Sequence, residues 1–431
     1  MPSLMVADES GQIYDHPYLK LAAKSGYQFI HPQPEHLIPL PFGSQLFTMP
    51  GRVPVGWDKK KQNFAPCSHL VINGGKKRCF PVAAFLSPGY LRTLLPATQN
   101  TSTLQTTLPL WAYCAVGWKE ENFFATALQI DPNPHWHPKF FQDDQQVASA
   151  VHNSLQKKPN NRLLQQLGRC ALEYHCFAAK NLFLKRWECP LPTSPICNSR
   201  CLGCLSLHPA GDCPSSQERI KFVPSVDELV EVALPHLSVE DSIVSFGQGC
   251  EGEPLLQADT LVRTVRQLRK QTRQGIINLN TNGSLPHQAE ELYKAGLDSI
   301  RVSLNSLDPI FYNRYYRPVG YSFNDALETL KRAKAYKIFT AINLLIFPGI
   351  TDRQKEYEKL FQFIKKTGID LLQMRNLNID PDLYLHKMKT QEENLGEFIP
   401  IWKIVETLRT TFPKLKFGYF NQPAKVINGV R

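Results

Sequence analysis

With 431 residues, 42% hydrophobic and 20% charged, the chain reads as an ordinary globular protein long enough to bury two or three domain cores. Residues 1–17 mix Asp8, Glu9 and Asp15 with polar side chains and hold no apolar signal core; the most apolar later run, 341–350, is far too short to cross a bilayer. No membrane partner and a cytoplasmic location are therefore expected. The net charge is +11, with 19 Lys and Arg against 12 Asp and Glu in residues 1–190, and 30 against 26 thereafter. The excess gathers in Lys59-Lys60-Lys61, Lys76-Lys77-Arg78 and Lys157-Lys158, runs that read as solvated loops, with RNA or an acidic substrate as the sharper alternative. Eleven cysteines, an odd number without a secretory signal, point to reduced thiols rather than a disulfide framework. Of these, Cys67, Cys79, Cys114, Cys170 and Cys176 share no short spacing and read as buried structural thiols.

Residues 1–107 are rich in proline and aromatics, as in His31-Pro32-Gln33-Pro34 and Pro39-Leu40-Pro41-Phe42, and read as extended or looped backbone without helical periodicity. Two apolar runs, 108–116 and 123–130, joined by Trp118-Lys119-Glu120-Glu121-Asn122, predict a β-hairpin. His135 and His137 lack a third ligand at a recognisable spacing and read as loop histidines. From Gln145 to about Leu184 the apolar positions Leu163, Leu164, Leu167, Ala171, Tyr174 and Ala178 recur at helical spacing. Residues 1–185 are therefore expected to form an α+β module that covers or selects the substrate, and residues 186–431 a second domain.

That second domain opens on the segment around which the chemistry is organised. Cys197-Asn198-Ser199-Arg200-Cys201-Leu202-Gly203-Cys204 follows the proline-rich run 190–195, so three thiols within eight residues can converge from one irregular loop on a soft metal centre. Three thiolates on a four-iron four-sulfur cube leave one iron open to a small molecule. The same residues with Cys189, His208 or Cys213 as a fourth ligand would make a structural zinc site, and spacing alone leaves that reading standing.

Beyond the loop, strand and helix alternate. Helices are predicted over 225–237, with Ser225 as cap and Glu228 three residues on, and over 260–273, 286–295, 323–336, 353–366 and 393–411. Strands are predicted over 186–189, 243–246, 276–280, 299–304, 339–347 and 371–375, with 415–420 as a further one. Helix-linked strands imply a parallel sheet, and six such repeats imply a partial (β/α)₆ TIM-like barrel whose active groups collect at the carboxyl ends of the strands. The polar motifs fall at those ends. Gly247 to Pro254 follows the second strand, with Gly252, Glu253 and Pro254 as candidate ligand contacts; Asn280-Thr281-Asn282-Gly283 follows the third, offering Asn280 and Asn282. Arg301, Ser303 and Asn305 share one face of the fourth strand, where a hydroxyl and a carboxamide can bond ribose hydroxyls, or else cap the next helix. Asn343 is the polar candidate on the fifth strand, and Arg375 on the sixth is placed to meet a substrate anion.

The Cys-x-x-x-Cys-x-x-Cys spacing resembles the radical S-adenosylmethionine (radical SAM) superfamily, and the ordered motifs over roughly 186–380 extend that resemblance. It departs from the family at Gly203, where an aromatic residue commonly precedes the last cysteine, and at Glu251, where the Gly-Gly-Glu-Pro stretch has its first glycine. What the resemblance implies is an enzyme in which Cys197, Cys201 and Cys204 hold a 4Fe-4S cluster and the open iron is chelated by S-adenosylmethionine. It further implies that Gly252, Glu253 and Pro254 receive the methionine end, that Ser303 and Asn305 receive the ribose, and that a flavodoxin- or ferredoxin-type one-electron reductant is needed. No cysteine follows Cys250, so the auxiliary-cluster extension of many peptide-modifying relatives is not expected. The substrate, a peptide, a protein or RNA, is not read from these motifs. The competing reading is a zinc-stabilised nucleic-acid-binding module without catalysis.

Overall fold

A computed structural model describes the chain except for residues 73, 102–105, 209–212, 390–394 and 429–431. Seven strands form one sheet in strict sequence order: β1 (Glu188–Pro190), β2 (Ile243–Phe246), β3 (Ile276–Thr281), β4 (Ser299–Leu304), β5 (Phe339–Ile346), β6 (Leu371–Asn376) and β7 (Lys416–Gly418). The registers run parallel, with Ser245 beside Asn278, Asn280 beside Arg301 and Ser303 beside Asn343. The strands are buried on both faces, as a parallel sheet covered by crossover helices requires. The protein is thus an α/β chain with a curled, partial TIM-like barrel, and its first six strands agree with the sequence pattern to within two residues at either end.

Local chemistry explains the boundaries. The helix Val226–Leu237 starts where Ser225 accepts the Glu228 N–H and the Glu228 carboxylate returns to the Ser225 N–H, a reciprocal cap. The helix Pro286–Ala295 stops at Gly296, whose φ of 108° suits a residue without a β-carbon. The helix expected over 393–411 spans Ile401–Thr411 instead, because Pro400 occupies its cap; its first expected residues lie outside the described ones, and a short helix, Ala424–Asn428, follows it. Two short helices, Pro309–Tyr316 and Pro381–Met388, were not expected from periodicity.

By packing, the chain divides into two compact units. One comprises Asn133–Leu344, Phe363–Gln373 and Lys414–Arg431, and the other Met1–Pro132, Leu345–Gln362 and Met374–Pro413. In the first, Trp136, Trp187, Ile243, Ile276, Phe339, Leu371 and Phe420 form an apolar cluster. Four of these open β2, β3, β5 and β6, so the amino ends of the strands are sealed with apolar bulk and polar side chains are concentrated further along. Trp136 and Phe420 stack with centroids 4.6 Å apart, a contact worth about 0.5–1.5 kcal/mol beyond the area buried. The helices Asp144–Lys157, Arg162–Leu172 and Phe177–Phe183 account for the helical stripe before the cysteine loop.

The second unit is built on antiparallel strands, where the sequence reads mostly as loop. These strands are mostly short, and several carry proline, so their alternation is too brief to register as a period. The expected hairpin is present as Tyr113–Lys119 and Asn122–Gln129, paired through Lys119 and Asn122. Its five-residue link shrinks to a two-residue turn, Glu120-Glu121, both at positive φ, the conformation that matches the twist of the flanking strands. Met5, Ala7, Val82, Ala84, Cys114, Val116 and Ala125 form its main core.

The segments 345–362 and 374–413 belong to this unit by close contact. Gly349 has φ 102°, and a β-carbon there would lie 2.2 Å from the Gly26 Cα, so both glycines serve close backbone approach. Ser25 donates to Asp352 at 2.6 Å, and Arg52 reaches Asp380 and Asp382 at 2.8 and 3.0 Å.

Candidate active site

The three cysteines lie on the loop that follows β1, held in place from three directions. From β2, Gly252 donates its N–H to Ser194 O (2.7 Å) and Glu253 donates to Ile196 O (2.9 Å), so the residues before Cys197 run alongside this turn. A β-carbon at Gly252 would sit 1.9 Å from Ile196 O, which leaves glycine as the residue that lets the cysteine loop come this close. From β3, the Asn282 amide donates to Asn198 Oδ1 and Ser199 Oγ at 2.9 and 3.0 Å, and Asn198 donates to Ser284 Oγ at 2.9 Å. From the helix Pro309–Tyr316 and its sequel, the carbonyls of Tyr316 and Tyr315 accept the N–H groups of Arg200 and Leu202; Val319 donates to Asn198 O and Tyr321 bonds Ser199 Oγ.

Two buried glutamates link the strand ends. Glu251 accepts from Thr193 and Ser194 N–H (2.7 and 2.9 Å) with one oxygen and from Gly247 and Gln248 N–H (2.8 and 2.7 Å) with the other. It stands where the resemblance has a glycine, and its carboxylate ties the start of the cysteine loop to the turn after β2. Glu253 accepts from Thr281 Oγ1, from Leu255 N–H at 3.0 Å and from Asn282 N–H at 2.8 Å, joining β2 to β3. Burial lifts both carboxyls to about 7, against the hydrogen bonds that favour their charged forms.

The donor set suits a soft cluster. Arg219 donates to Cys204 Sγ and the Ser199 N–H to Cys197 Sγ, both at 3.4 Å, contacts of the sort that tune a thiolate-bound centre. Burial pushes the Cys197 thiol up to about 11 and Cys201 well above its ordinary value, and each feels the other two sulfurs or one of them as neighbouring charge. Buried thiols that raise one another's pKa in this way are neutral without metal, and a bound soft cation displaces their protons. Among the described residues, no three His, Cys, Asp or Glu side chains gather closely enough to hold a single metal ion, Cys197, Cys201 and Cys204 included.

The remaining candidates fall into two groups. Asn280 donates to Gly247 O at 3.1 Å and accepts from Asn278, while Pro254 opens a short 3₁₀ turn. Ser303 and Asn343 meet at 3.4 Å across β4 and β5, and the Asn343 Oδ1 is buried with no partner among the described residues. Asn305 does not join them: it is fully buried and donates to Phe311 O at 3.2 Å in the following helix. Arg301 also turns elsewhere, to Gln373 at 3.0 Å. Gln373 continues to Asn421, which donates to Glu188 and Ser245, forming a buried polar chain across the sheet interior. Glu251, Asn198, Ser284 and Arg219 are parts of the site that motif reading missed; only Glu251 left a trace in the sequence, as a departure from the family pattern.

Residues 191–364 match the family model described as the radical SAM superfamily. The chain carries a radical SAM domain. Radical SAM enzymes use a 4Fe-4S cluster and S-adenosylmethionine, and Cys197, Cys201 and Cys204 lie within the matched residues. Its curated relatives include the GTP 3′,8-cyclase of Rhizobium etli, 26% identical over 52% of this chain and 59% of the relative. They also include the FeMo cofactor biosynthesis protein NifB of Chlorobaculum tepidum, 23% identical over 52% and 55%. The chain thus spans between half and three-fifths of the length of these relatives. Among solved structures it is similar to methylornithine synthase, at 15% identity and a TM-score of 0.38, over 63% of this chain and 74% of that one. No helix among the described residues is long and apolar enough to cross a membrane.

Proposed function

We propose that the radical SAM domain of this chain binds its cluster through Cys197, Cys201 and Cys204 and acts on a small-molecule substrate by hydrogen-atom abstraction. The observation that carries this reading is the direct backbone pairing of Gly252 and Glu253 with Ser194 and Ile196, which sets the Gly-Glu-Pro turn against the residue before the first cysteine. When bound, the cluster and S-adenosylmethionine supply one-electron reductive cleavage of the cofactor and removal of a hydrogen atom from the substrate.

The protein's own residues do the positioning. Glu251 and Glu253 fix the relative placement of three strand ends, Asn282 and the Tyr315–Tyr321 segment hold the loop between the cysteines, and Arg219 and the Ser199 N–H balance sulfur charge. Ser303 and Asn343, with one carboxamide oxygen unpartnered, are the side chains placed to receive nucleoside hydroxyls. A one-electron donor is required, consistent with the flavodoxin or ferredoxin type. The name of the cyclase relative is that of an enzyme acting on GTP, which favours a small molecule over RNA or a peptide for this chain. The test is anaerobic purification with iron, sulfide and zinc analysis. Brown protein with about four irons per chain is expected, together with S-adenosylmethionine cleavage that Cys201→Ala abolishes. Colourless protein with one zinc, or full cleavage by the variant, would overturn the reading.

A further inference from the structure

Arg92 is a fully buried cation that, among the described residues, has no carboxylate partner. It ends the strand Tyr90–Arg92 and is 0% exposed. Its backbone is clamped: the Arg92 N–H donates to Asn376 Oδ1 and Asn376 Nδ2 donates to Tyr90 O, both at 2.9 Å. Its guanidinium lies over the Phe347 ring, 5.0 Å from the centroid, and Nη2 donates to Leu377 O at 2.7 Å. The other two nitrogens, Nε and Nη1, have no acceptor among the described residues.

A buried guanidinium is ordinarily paired with a carboxylate, because leaving the charge uncompensated in a low dielectric is costly. Other buried acids of the same unit are engaged elsewhere: Asp380 and Asp382 hold Arg52, and Asp352 holds Ser25. The groups that favour Arg92's charge are Cys114, Tyr384 and Tyr113, none of them a carboxylate, and burial draws the guanidinium down to about 10, still charged at neutral pH. The carbonyl and ring contacts orient the group without neutralising it. Phe347 directly follows β5, and Asn376 and Leu377 end and follow β6, so the cation is held at the carboxyl ends of two barrel strands, where such barrels bind their ligands.

We infer that Arg92 is the anchor for an oxyanion, a phosphate or carboxylate carried by the small molecule on which the enzyme acts. The guanidinium supplies a preoriented charge, and the anion supplies the acceptors that the protein withholds. The assignment to substrate rests on the proposed radical SAM reading; the anion site itself does not.

The experiment is thermal melting of the full chain, kept anaerobic, titrated with inorganic phosphate or with acetate at an ionic strength held constant by chloride. One of the two anions is expected to raise the wild-type melting temperature saturably, and which one does so separates phosphate from carboxylate. Arg92→Met is expected to melt no lower than wild type in chloride and to lose the response, its apparent affinity falling at least tenfold; Arg92→Lys is expected to keep part of it. No saturable response to either anion in wild type, a response retained by Arg92→Met, or a melting point many degrees lower for that variant in chloride would overturn the inference. Cys201→Ala is expected to respond to the anion as wild type does, so loss of the cluster reading and loss of the anion site are told apart.

Discussion

Glu251 and Glu253 stand one residue apart and are both buried, yet they join different pairs of strands, and neither has a cation beside it among the described residues. Since burial lifts both from about 4.5 to about 7, the folded protein holds protons between those values that the unfolded chain releases. Their contribution is therefore complete below about pH 4.5 and declines as pH rises through 7, by on the order of 3 kcal/mol per carboxyl at most. Denaturant melts between pH 5 and 8 should show this decline in wild type and a shallower one in Glu251→Gln and Glu253→Gln; identical slopes in all three would refute it. At this scale the cysteine triplet and Gly252 were legible because their chemistry depends on residue type and spacing alone. Glu251 and Asn305 were not: a carboxylate accepting from N–H groups 58 positions away and a carboxamide turned into the next helix are decided by partners that one strand's alternation does not reveal.

The helix Pro381–Met388 shows how an element is held by a single residue. Asp380 caps it by accepting from Asp382 and Leu383 N–H at 2.8 and 3.1 Å, and its other oxygen takes Leu108 N–H at 2.7 Å and the Arg52 guanidinium at 2.8 Å. Both charged side chains are 2% exposed. Asp380→Asn keeps the capping oxygen but leaves Arg52 without one of its two counter-charges, which should destabilise the protein by about 3–5 kcal/mol. A urea midpoint that places the variant within 1 kcal/mol of wild type would refute this account, whereas partial recovery in Arg52→Met/Asp380→Asn would support it. Periodicity found the barrel strands and the helices from Val226–Leu237 to Gln354–Thr367 to within two residues, but began the helix Ile401–Thr411 eight residues too early. It missed the eight-residue helices Pro309–Tyr316 and Pro381–Met388, which are too short to show a stripe, although each follows an aspartate with proline at its first position, a legible start signal.

For the whole molecule, contact rather than sequence order defines the units. A boundary read along the chain, near Lys185, has one position; the two compact units are each assembled from three segments. Residues 1–132 therefore lack groups that their own folded form uses: Asp352 for Ser25, Asp380 for Arg52, and Asn376 with Leu377 for Arg92. Expressed alone, that fragment is expected to be unfolded, with rapid proteolysis and no cooperative melt; a cooperative transition like that of the full chain would show that the later segments are dispensable. The barrel order was legible because each strand pairs with the next in sequence, while the antiparallel unit was not, because its pairings skip along the chain.

That interleaving bears on how the protein is made. The amino-terminal strands leave the ribosome first, but the residues that complete their unit extend to Pro413. At about 5–20 residues per second, translation leaves those strands waiting for tens of seconds with their apolar faces uncovered. Nascent chains of this protein are thus expected to depend on shielding of those strands until the later segments emerge.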